Sequence, residues 1–128
     1  MTNKEKEITA ITIQIIASSL SIGTIIISII LLYNHQLELD GKEPFLDPNS
    51  AQKLTTFNRL VTLAILISFL LINYFLYYIS KKEGENLTTY KLQIIASYLS
   101  VGAALIALYV VLKEPGGENV ADVENPIF

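Results

Sequence analysis

ITAITIQIIASSLSIGTIIISIILLYN, residues 8–34, contains no charged side chain. At 1.5 Å per residue a helix made of it is about 40 Å long, more than the roughly 30 Å of hydrocarbon in a bilayer. Two later stretches, Leu60 to Ser80 and Leu92 to Leu112, are equally free of charge. Each run reaches the roughly 20 apolar residues that a crossing needs. All three are apolar almost all round, where a soluble bundle would keep one polar face per helix. The pattern predicts an all-α integral membrane protein: an antiparallel, up-down-up bundle of three transmembrane helices, with spans near 8–33, 60–80 and 90–112.

Composition agrees. Hydrophobic residues make up 52% of the 128-residue chain and charged residues 16%, against about 25% charged in a typical soluble domain. Lys4 and Lys6 give the first run a basic start, but that run outlasts the roughly 7 to 15 apolar residues of a cleaved signal peptide. It is read as a retained first span. With no cysteine there is no disulfide or thiolate ligand. A net charge of −3, with no basic cluster beyond Lys81-Lys82, argues against nucleic-acid binding.

Local signals place the helix ends. The first helix begins near Thr2 or Asn3, with Glu5 in its first turn, and Asp40-Gly41 offers a stop. Asp47 is placed as an N-cap with Pro48 at the first helical position, so the second helix starts before its span does. Gly84 ends that helix and Asn86 caps the third. The acidic tail, 113–128, lacks apolar periodicity and is expected to be mostly disordered. Lysine and arginine divide five to four between the two sides: Lys4, Lys6, Lys81, Lys82 and Lys91 against Lys42, Lys53, Arg59 and Lys113. This bias points to a chain in the cytoplasmic membrane with its amino terminus inside and its carboxyl terminus outside. Arg59, Lys81, Lys82 and Lys91 read as interface anchors, and Tyr74, Tyr77, Tyr78 and Tyr90 as part of an aromatic belt.

A phrase recurs within the apolar runs. QIIASSLSIG starts at Gln14 and QIIASYLSVG at Gln93, with eight of ten positions identical at an offset of 79. One intervening span makes the two copies parallel, as in a parallel internal repeat. At 100° per residue, Gln14, Ser18, Ser21, Ile25 and Ser28 fall within a stripe of about 80°, and Gln93, Ser97, Ser100, Ala104 and Ala107 repeat it. On the second helix Asn58, Thr62, Asn73 and Ser80 form a matching stripe. Helices in lipid associate through small residues and interhelical hydrogen bonds, so these stripes should face protein. Gln14, Asn73 and Gln93 all lie roughly 10 Å inside the inner boundary and are expected to meet in one structural polar layer with the serines. Gly23 and Gly102, on the opposite side, are expected to be small-residue contacts between helices.

No Asp, Glu, Lys, Arg or His lies within the three cores, which removes the usual mark of proton-coupled transport. The lone histidine, His35, follows the first span and lacks companions for a metal site. The serines have no neighbouring base, so catalytic residues, cofactor and metal are all expected to be absent. The expected role is a non-catalytic assembly subunit or scaffold whose partners are the lipid bilayer and either further copies of itself, as a homo-oligomer, or a larger membrane protein. The alternative is an oligomeric pore former lined by the Ser/Gln stripes. In size and span count the chain resembles the three-span phage holins, which implies pore formation. Those holins generally run amino terminus out with a charged cytoplasmic tail, and this chain departs from both features.

Overall fold

The computed structural model describes residues 2–84 and 86–113, all regular structure among them helical. Three helices follow in order: α1 (Asn3–Leu39), α2 (Pro48–Lys82) and α3 (Thr88–Lys113). All three are long and apolar enough to cross a membrane. The expectation for the acidic tail falls on residues 114–128, outside the described residues.

The ends are fixed by the residues the sequence nominates. Thr2 and Glu5 form a reciprocal capping box, Glu5 N–H donating to Thr2 Oγ1 and Thr2 N–H to Glu5 Oε2, both at 3.1 Å. These bonds satisfy two amides that the first turn leaves without helical acceptors. At the other end Gly41 adopts φ 74°, the left-handed conformation that lets the chain leave the helix. Asp47 caps α2 by accepting from Ser50 N–H at 2.6 Å, with Pro48 at the helix start. Gly84, at φ 73°, closes α2. Asn86 Oδ1 accepts the Thr88 amide at 3.0 Å as α3 begins.

The helices run up, down and up. Asn3 reaches Glu83 and Ser28 reaches Asn58 across α1 and α2, while Gln52 reaches Val111 and Asn73 reaches Ser97 across α2 and α3. The arrangement is open. Both α1 and α3 pack on α2, yet no Cα pair between α1 and α3 lies within 8 Å among the described residues. Spans one and three therefore do not mate, and the recurring decapeptide is not a joint between them.

Each seam has a seven-residue spacing: Ala10, Ala17, Thr24 and Leu31 are buried on α1, and Asn58, Ile65, Ile72 and Ile79 on α2. A spacing of seven keeps one side of a helix against its neighbour at a shallow crossing angle. On α3 the corresponding positions are Ala104 and Val111, buried, with Ser97 half-buried. The α1 seam maps onto the α3 seam at an offset of 80, whereas the decapeptides match at 79. One residue is 100° of rotation, so the two copies turn different sides toward α2. The sole polar difference between the copies follows from this. Ser19 bonds its own helix through Ile15 O, but its counterpart Tyr98 meets α2, hydroxyl to hydroxyl with Tyr74 at 2.6 Å.

Candidate functional site: an open polar groove

Because α1 and α3 stand apart among the described residues, with no two Cα atoms within 8 Å, α2 is left as the floor of a groove between them. Its volume is about 370 Å³, and its lining is Gln14 from α1, Leu66, Phe69 and Asn73 from α2, and Gln93, Ala96, Ser97 and Ser100 from α3. The three carboxamides expected in one layer therefore do share one site. They line an open groove, however, and form no closed hydrogen-bonded core.

Hydroxyl and carboxamide groups solve the problem of low-dielectric surroundings differently. A serine or threonine on a helix can return its proton to the carbonyl four residues back. Ser21 does so to Ala17 O, Ser28 to Thr24 O, Thr62 to Asn58 O and Ser100 to Ala96 O, at 2.9–3.1 Å. These hydroxyls need no neighbouring helix. A carboxamide has two donors and an acceptor on a longer stem, and its bonds must come from elsewhere. Asn73 finds Ser97 Oγ at 2.6 Å and Asn58 finds Ser28 Oγ at 3.1 Å, each tying α2 to a flanking helix. Gln14 and Gln93 make no side-chain hydrogen bond among the described residues.

The remaining predicted positions divide. Ser21 and Ser28 belong to the α1–α2 seam, half-buried and buried respectively. Ser18 is exposed and borders a shallow hollow on α1 with Ser19 and Ile22. The covered side of α1 is centred about 60° from the predicted stripe, toward Ala10 and Ala17. Gly23 and Gly102 are not close contacts between helices, since a methyl group at either position would meet nothing within 4 Å. Lys81, Lys82 and Lys91 are exposed near helix ends. Arg59 is not. It is 2% exposed, because one side of the polar start of α2, bearing Thr55, Asn58 and Arg59, is covered by the rest of the assembly while Ser50, Lys53 and Phe57 stay exposed.

Asn34 is a buried residue that lay outside the sequence reading. Asn34, near the end of α1, accepts Leu46 N–H at 3.0 Å and donates to Leu46 O at 3.5 Å, pinning the first loop back onto α1. Tyr33 and Phe45 stack beside it, ring centroids 6.1 Å apart. The available signal was an asparagine one position beyond the apolar run and facing a proline-bounded loop. His35 is half-buried with Nδ1 3.7 Å from Glu38. Comparison of the chain with known protein families, with curated proteins and with solved structures returned no match.

Proposed function

We propose that the chain is a non-catalytic assembly subunit of the cytoplasmic membrane, amino terminus inside, whose groove receives a transmembrane helix from a second copy or from a larger membrane partner. The observation carrying this reading is the pair Gln14 and Gln93 on opposite walls of the groove, neither with a hydrogen bond among the described residues. Hydrocarbon supplies neither donors nor acceptors, and an unpaired amide there costs several kcal/mol. A helix seated in the groove with its own polar side chain removes that cost. Ser97, Ser100 and Ala96 are small enough for its backbone to come close.

The test is association in liposomes, read by single-molecule photobleaching of a labelled chain. The wild type is expected to associate, and Gln14→Leu with Gln93→Leu to return it to single copies with helicity unchanged. Retained association in the double variant would discard this reading. A second reading is supported by the polar lining itself: five hydrogen-bonding side chains from three helices would border water if several copies met around the groove. Dye release from liposomes distinguishes the two. A pore leaks and Ser100→Leu stops it, whereas a subunit that merely holds a helix leaves the dye inside.

A further inference from the structure

Where α1 begins and α2 ends, the two helices flank a second, half-open cavity, about 130 Å³, lined by Asn3, Lys6, Phe75, Tyr78, Ile79 and Lys82. Its lining changes character along α2. Lys6 lies two residues before Ile8 and Lys82 two after Ser80, both outside the charge-free runs, whereas Phe75, Tyr78 and Ile79 lie within one. From Phe75 to Lys82 is about 10 Å along the axis. Cations thus stand above an apolar wall at the depth where the membrane changes from headgroup to hydrocarbon.

Neither lysine is spent on a neighbour. Among the described residues no carboxylate lies within 4.0 Å of Lys6 or Lys82. Of the nearby acids, Glu5 is in the capping box with Thr2, and Glu83 accepts from Asn3 Nδ2 at 3.2 Å at the rim of the cavity. Glu7 is half-buried one residue after Lys6. Two ammonium groups on flexible stems, lining one cavity from two helices together with Phe75 and Tyr78, match the charge of a phosphate carried on an acyl chain.

We infer that this cavity binds an anionic phospholipid, its phosphate between Lys6 and Lys82 and the upper part of one acyl chain against Phe75, Tyr78 and Ile79. The inference rests on the chain lying in a bilayer and is independent of what the groove accepts. A lipid here clips the start of α1 to the end of α2, an end where Asn3–Glu83 is the one hydrogen bond between side chains of the two helices among the described residues.

Native mass spectrometry of the full chain, released from nanodiscs of mixed phosphatidylglycerol and phosphatidylcholine, tests it. The wild type is expected to retain phosphatidylglycerol selectively. Lys6→Gln or Lys82→Gln should each cut that preference about fivefold, and the pair about 30-fold. Arginine at both positions should restore it, and Lys4→Gln with Lys81→Gln, which remove the same charge outside the cavity, should leave it intact. Equal retention of the two lipids, or an equal loss from the Lys4/Lys81 pair, overturns the site. Competition by soluble glycerophosphate as effective as that of the whole lipid would show a phosphate site without an acyl component and overturns it as well. Extraction of the chain by alkaline carbonate would instead overturn the membrane reading beneath it.

Discussion

The two ends of the molecule treat polar side chains in opposite ways. Toward the first loop, Ser28 and Asn58 are each 1% exposed and bonded to one another, and Asn34 grips both polar atoms of Leu46. Toward the amino terminus of α1, Gln14 and Gln93 stand on the walls of an open groove with no such bonds. The first set holds the fold together, and the second is surplus to it. Polar residues within apolar helices thus separate into two kinds, and the separation follows from bonding, since both kinds include carboxamides and α1 carries one of each, Asn34 and Gln14.

The largest effect that would break this comparison comes from placing leucine at Ser28 and at Ser100. At Ser28 the added volume overpacks a closed seam and removes the acceptor of Asn58, for a loss of about 3 kcal/mol in reversible unfolding from mixed micelles. At Ser100, on the open wall, the same change should stay within about 0.5 kcal/mol. Equal losses would mean that the groove is as structural as the seam. A smaller effect is expected from Asn34→Ala, which strands the Leu46 amide and should cost about 1–2 kcal/mol, with faster hydrogen exchange at Leu46. The matched Gln14→Ala should cost nothing measurable.

The smallest effect concerns pH. The hydroxyl and then the backbone N–H of Ser50 hold the Asp47 carboxyl below its ordinary value of 3.8. A lowered value in the folded chain means that the capping contribution is fully present above the ordinary value and is lost as pH falls through the folded one. The first turn of α2 should therefore show lower amide protection factors, with intrinsic exchange rates divided out, at about pH 3 than at about pH 5, and Asp47→Asn should remove the difference. The groove is lined by Gln, Asn, Ser, Ala, Leu and Phe, none of which titrates, so association through it should be flat over the same range.

The helix count and nearly every helix end were legible in the sequence, because charge-free length and capping chemistry are local properties. Thr2, Gly41, Asp47, Gly84 and Asn86 act within a few residues of themselves. The layer of Gln14, Asn73 and Gln93 was legible as well, since depth along a helix follows from counting. Which side of each helix is covered was not. An isoleucine suits a seam or an acyl-facing side equally, so the seam settled on Ala10, Ala17 and Thr24, and of the predicted α1 stripe only Gln14 reaches the groove while Ser21 and Ser28 join the seam. Arg59 misled for a related reason: a charge next to an apolar run suggests a surface position, and only the packing of the polar start of α2 against its neighbours covers it.

That α1 and α3 meet only α2 bears on how the protein is made. Among the described residues each helix packs only on a helix that adjoins it in the chain. The chain can settle hairpin by hairpin as it emerges, and no contact made early has to be undone when the last helix arrives.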